Sequence, residues 1–264
     1  MLNRILAALL IALACTSCST TAVNLDADNP TVLITGSNRG LGLELSRQYA
    51  ALGWNVIASC RTPRTAKELQ SLADQYPRVA IETLDVTSDR QVNALAKKYR
   101  GQPIDVLLNN AGIYGTLEKQ TLGNFDYEEL KRVFDVNTIG SLRVSQAFLD
   151  NVLISQQKKI ISLGGGMGTQ SIGRLFGGHY FMKMSKAAHL MAMGVMQMDL
   201  KDTDVQIVMI SPGRVDTQLM RDSGWTGSSI SAEQSAQLVI AQISSLKPEA
   251  NGRLIMYNGK VIPW

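Results

Sequence analysis

The sequence predicts an α/β fold, a single doubly wound parallel sheet with helices on both faces. Three observations carry that expectation. Seven short apolar, β-rich runs do not alternate with polar residues, helical patterns separate them, and a glycine-rich turn directly follows the first run. Strands covered on both faces lose the alternation of a half-exposed sheet, and parallel neighbours need a crossover, usually a helix. The chain has 264 residues, 45% of them hydrophobic and 18% charged, which is enough to bury one substantial core. No composition shift or Pro/Ser-rich stretch divides it, so one domain is expected.

The strands are expected at Thr31–Thr35, Asn55–Ser59, Val79–Leu84, Ile104–Leu108, Lys159–Leu163, Val205–Ile210 and Arg253–Met256. Helices are expected at Gly42–Leu52, Thr65–Gln75, Asp89–Tyr99, Tyr127–Leu153, Met182–Leu200 and Ala232–Ser245. Strand, helix, strand at this spacing is the pattern of a doubly wound sheet. The methionines between Met182 and Met220 read as fillers of core gaps.

Ahead of the domain, Met1–Arg4 carries one positive charge and Ile5–Ala14 is an uninterrupted apolar stretch. A run of that length suits the core of a signal peptide and falls short of the ~20 residues that span a bilayer. Residues 1–18 are therefore read as a signal, 19–30 as a linker and 31–264 as the domain. Cys15 and Cys18, each preceded by small residues, resemble the cleavage site of a bacterial lipoprotein. The expectation is an exported protein, held by lipid on the periplasmic face of a bacterial membrane. A cytoplasmic chain with an apolar tail is the alternative.

Composition narrows the function. The net charge of +4, from 26 basic and 22 acidic residues, is scattered, so nucleic-acid binding is not expected. Two histidines and three cysteines provide no metal set, and the Cys15–Cys18 pair has no second pair to complete one.

The informative motif lies between the first strand and its helix: Gly36-Ser37-Asn38-Arg39-Gly40-Leu41-Gly42. A chain turning there can bring backbone N–H groups close to a pyrophosphate with no Cβ in the way, and the helix N-terminus favours the anion. TGSNRGLG resembles the TGxxxGxG signature of the short-chain dehydrogenase/reductase family. Further matches follow in order. Asp85-Val86 after the third strand implies adenine binding, and Asn109-Asn110-Ala111-Gly112 resembles the family's NNAG. Asn137 stands at the tetrad asparagine, and Pro212-Gly213-Arg214-Val215-Asp216-Thr217 resembles the segment beside the nicotinamide. The chain's end is similar to the C-factor-like branch. The resemblance implies a Rossmann-like fold over residues 31–264, a bound dinucleotide, a small carbonyl or alcohol substrate and a homodimer.

An acidic residue at the end of the second strand would hold the ribose 2′-hydroxyl of NAD, whereas a basic one accommodates the 2′-phosphate of NADP. Ser59-Cys60-Arg61 stands there, and Arg39 adds a second cation. Both could be solvated arginines. A guanidinium fork matches phosphate, so NADP is expected ahead of NAD.

The catalytic positions depart from the family. Lys186, in Met184-Ser185-Lys186-Ala187-Ala188, matches the lysine that lowers the pKa of a tyrosine four residues earlier and holds the ribose. That earlier residue is Met182, and a thioether cannot exchange a proton. The serine that polarises the substrate oxygen aligns with Gly165, although a slip would nominate Ser162 or Thr169. Asn137 and Lys186 are retained. The candidate substitutes are His179 and Tyr180: His179 is either near the face of Lys186, seven residues before it, or a loop histidine after Gly177-Gly178, and Tyr180 points elsewhere unless the helix start is unwound. Two functions follow. One is an NADP-dependent oxidoreductase with weakened or lost acid catalysis. The other is an exported, non-catalytic binding or signalling protein, as the C-factor-like resemblance implies. The substrate is not readable.

Overall fold

The computed structural model describes residues 25–264, so the signal segment and residues 19–24 of the linker lie outside them. The rest of the linker is tied to the domain. The Asn55 side chain donates to the carbonyls of Asp26 and Asn29 and accepts from the Asp26 backbone N–H.

The first half alternates β1 (Thr31–Thr35), α1 (Gly40–Ala51), β2 (Asn55–Cys60), α2 (Lys67–Gln75), β3 (Val79–Thr83), α3 (Asp89–Lys98) and β4 (Val106–Asn109). A two-stranded hairpin, β5 (Gln120–Thr121) and β6 (Asn124–Phe125), precedes α4 (Tyr127–Phe134), a π-helical turn at Asp135–Ile139, α5 (Gly140–Ala147) and α6 (Leu149–Leu153). The second half runs β7 (Lys159–Leu163), α7 (Gln170–Gly173), α8 (Tyr180–Asp199), β8 (Gln206–Ser211), α9 (Gln218–Asp222), α10 (Ala232–Ser244), β9 (Leu254–Met256) and β10 (Val261–Ile262).

Eight strands form one sheet in the order β10-β9-β8-β7-β4-β1-β2-β3, parallel except for the antiparallel β9–β10 pair. The doubly wound parallel sheet is as expected, and a two-residue return strand closes its edge. The sheet buries its strands on both faces. Val32, Ile34, Val56 and Leu108 pack with Leu45, Tyr49 and Leu69 on one side. Leu33, Ile57 and Leu107 pack with Val92, Val144, Phe148 and Met193 on the other. This two-sided burial is why the strands read as continuous apolar runs.

The expected helix Tyr127–Leu153 is not continuous. It is broken by the π-helical turn and by a second interruption after Ala147. Single π turns inside α-helices are frequent at functional sites, and this one carries Asn137. β1 and β4 are neighbours, and from them the chain winds outward in opposite directions. A crevice therefore opens beyond the carboxyl ends of these two strands, the usual ligand position in such sheets.

Candidate active site

The glycine loop leads from β1 into α1 with Gly36 at φ +71° and Gly40 at φ +55°, conformations that a side chain strains. A Cβ on Gly42 would lie 2.3 Å from the Gly36 carbonyl oxygen and 2.4 Å from the Asn110 side-chain nitrogen, so the turn closes only around glycine. Helix α1 has no side chain capping its N-terminus and no acidic residue in its first turn. By contrast, Ser88, Asp126 and Ser231 cap α3, α4 and α10. The first N–H groups of α1 are thus left for an external anion.

Two loop residues serve as braces. Ser37 is fully buried and its hydroxyl donates to the Ile34 carbonyl at 2.9 Å. Asn110 donates from its amide to the carbonyls of Thr35 and Gly36, at 2.8 and 3.1 Å. In return, the Thr35 hydroxyl accepts from the Asn110 and Ala111 backbone N–H groups, both at 3.0 Å. The loops after β1 and β4 are one hydrogen-bonded unit. Arg39 and Arg61 are exposed at the ends of the paired β1 and β2, and neither forms an ion pair among the described residues. Asp85 turns one carboxylate oxygen onto the Thr87 N–H and hydroxyl.

Deeper in the crevice, Gly112, Asn137 and Lys186 converge. A Cβ on Gly112 would lie 3.4 Å from the Asn137 Oδ1 and 3.9 Å from the Lys186 Nζ. Asn137 is fully buried, and its amide pairs both ways with the Ile113 backbone at 2.9 Å and donates to the Ser185 hydroxyl at 3.1 Å. Lys186 donates to the Leu163 carbonyl at the end of β7, at 3.1 Å. Its burial lowers its pKa to about 8, so at neutral pH it is still mostly cationic. Met182 is buried one helical turn before it, with its sulfur 3.7 Å from the Asn137 Nδ2.

The alternative serine nominations fail. Ser162 points into the core, 3.5 Å from Asn109 and 3.3 Å from the Met193 sulfur. The Thr169 hydroxyl caps α7 and donates to the Gly166 carbonyl. Gly165 lies just past β7, and a Cβ there would meet nothing nearer than the Met167 nitrogen at 3.8 Å.

Residues 30–226 match the short chain dehydrogenase family. The chain belongs to that family. It is 32% identical over 242 residues to the 1-hydroxy-2-glutathionyl-2-methyl-3-butene dehydrogenase of Rhodococcus sp. strain AD45, covering 89% of this chain and 99% of that protein. It is 35% identical over 162 residues to the C-signal of Myxococcus xanthus, covering 61% of this chain and 93% of that protein. The NADPH-bound carbonyl reductase from chicken fatty liver superposes with a TM-score of 0.82 at 29% identity, covering 89% of this chain and 99% of the other. The carbonyl reductase of Pseudomonas aeruginosa PAO1 in complex with NADP gives 0.77 at 25% identity, covering 89% and 100%.

The two substitute candidates of this short chain dehydrogenase lie in different surroundings. Tyr180 lies 36% exposed on α8 with its ring edge on Phe125, away from Lys186. His179 is the loop histidine rather than a member of the Lys186 helix face. It is the residue before α8, in left-handed backbone at φ +57°, and its Nδ1 lies 2.7 Å from the Tyr114 hydroxyl. Tyr114 and Gln120 were not singled out from the sequence. The signal for Tyr114 is its place two residues past Gly112, on a loop at a strand's carboxyl end, where ligands bind in such sheets. Gln120, a fully buried amide, showed no sequence signal.

Proposed function

We propose that the chain is an NADP-dependent oxidoreductase of the short chain dehydrogenase family, acting on a carbonyl compound or secondary alcohol with weakened acid catalysis. The observation that carries this reading is the glycine loop closed on Asn110 beside the uncapped N-terminus of α1, with Gly112, Asn137 and Lys186 converging next to Met182. The α1 N-terminus, Gly36 and Gly40 would take the pyrophosphate. Arg39 and Arg61 would take the 2′-phosphate, and Asp85 and Val86 the adenine. Pro212, Gly213, Val215 and Thr217 would flank the nicotinamide, and Lys186 its ribose. A bound reduced nicotinamide supplies the hydride. The closeness to NADP-bound carbonyl reductases supports the same assignment. The test is NADPH oxidation by the purified full chain across aldehydes and ketones. Slow, substrate-dependent oxidation is expected, and none with any carbonyl would reject it.

NADPH should bind more tightly than NADH, and Arg61→Asp should narrow or reverse the preference. Charge-assisted bonds to phosphate make a difference of about 1–3 kcal/mol reasonable. Paired calorimetric titrations measure it, and an unchanged preference in the variant would remove Arg61 from the site.

A second reading is an exported, non-catalytic signalling or binding protein. Met182 and the similarity to a protein named as a signal favour it. It shares our proposal for location, in which residues 1–18 direct export and Cys15 or Cys18 is lipid-modified. Envelope fractionation with a lipid label should show a band that is lost when both cysteines are replaced. A full-length cytosolic product would contradict it.

A further inference from the structure

We propose that Tyr114, positioned by His179, is the proton donor to the substrate oxygen in place of the missing tyrosine, an inference that rests on the reductase reading above. Four observations lead there. Tyr114 follows Ile113, whose backbone Asn137 grips on both sides, so its backbone is tied to Asn137, and its side chain is buried. Gln120 spans from the Tyr114 carbonyl, to which it donates at 3.0 Å, to the Met182 N–H, from which it accepts at 3.2 Å. One buried amide therefore separates the backbone of Tyr114 from the position that lacks its tyrosine. The phenol lies 4.0 Å from the sulfur of Met167, in the loop that begins at the open Gly165. Finally, the His179 Nδ1 meets the Tyr114 hydroxyl at 2.7 Å from a left-handed conformation that few residues other than glycine adopt. Such outliers cluster at functional sites.

The chemistry balances. Hydride from the reduced nicotinamide forms the new C–H bond, the carbonyl π bond opens, and its oxygen takes the proton of the Tyr114 hydroxyl. The phenolate recovers a proton from the His179 Nδ1–H, and the imidazole takes one from solvent at Nε2. The products are the alcohol and the oxidised nucleotide. Burial keeps the Tyr114 phenol protonated, with its pKa pushed up to about 12, and lowers that of His179. A donor with so high a pKa, and with no lysine one turn away, suits slow rather than fast turnover.

The test uses the full chain, NADPH and the best carbonyl substrate found. Tyr114→Phe keeps the ring and should lower kcat by about 10²-fold with NADPH affinity unchanged. His179→Asn, which tolerates the left-handed backbone, should lower kcat without raising KM, and added imidazole should restore part of the rate. Met182→Tyr placed in Tyr114→Phe should recover the lost turnover. A wild-type chain that turns over while Tyr114→Phe keeps its rate would overturn this inference and leave the reductase reading standing. A wild-type chain that reduces no carbonyl would overturn both. Loss of NADPH affinity in step with kcat, with no recovery from Met182→Tyr, would mark Tyr114 as packing and overturn the inference alone.

Discussion

Met182→Tyr combined with Gly165→Ser should raise NADPH-dependent carbonyl reduction by about 10²-fold or more over the wild type, the scale of a well-matched proton donor. A tyrosine at 182 stands one helical turn before Lys186, the spacing at which side chains on one helix face meet. Lys186 is buried and mostly cationic at neutral pH, so it would lower the pKa of that phenol and make it a better acid than Tyr114. Space for the serine is already present at Gly165. Met182→Tyr alone should give most of the gain, because the serine only polarises the oxygen. The comparison is of kcat on one substrate, with NADPH affinity as the control. A wild-type rate already typical of carbonyl reductases, unchanged in the double variant, would contradict the vacated acid position.

The second large effect is a loss. Gly42→Ala should abolish measurable NADPH binding and destabilise the fold. The added methyl would collide with the Gly36 carbonyl and the Asn110 amide, both within 2.4 Å of its ideal position. Neither can yield cheaply, because the amide donates to two loop carbonyls. Overpacking costs typically about 1–3 kcal/mol. Weakening the Asn110 hydrogen bonds adds about 1 kcal/mol, so a loss of about 2–4 kcal/mol is expected. Thermal unfolding together with an NADPH titration measures both. Unaltered Tm and affinity would show that the loop does not close around Gly42 as described.

The sequence was most legible where one physical constraint dominates. Thr31–Thr35 and Lys159–Leu163 match the observed strands end to end, because two-faced burial demands continuous apolar runs. The glycine loop was equally clear, since few other roles require that spacing between a buried strand and a helix. Legibility failed where a side chain overrules the local pattern. Nothing in the helical periodicity of 127–153 marks the π turn that places Asn137 inside. The β9–β10 pair is two residues long and leaves no alternation to read. Of the two readings open for His179, the loop one holds, because α8 starts one residue later; its contact with Tyr114 has no local pattern to read. Tyr114 lies on a loop, where there is no periodicity to single a residue out.

The proposed reading joins a kept nucleotide cradle to a family acid position that holds Met182. Its most direct test is calorimetric titration of the purified full chain with NADPH and with NADH. Saturable, one-to-one NADPH binding, tighter than NADH, is expected in a protein that reduces carbonyls slowly. Absence of binding by either nucleotide to the folded chain would contradict it.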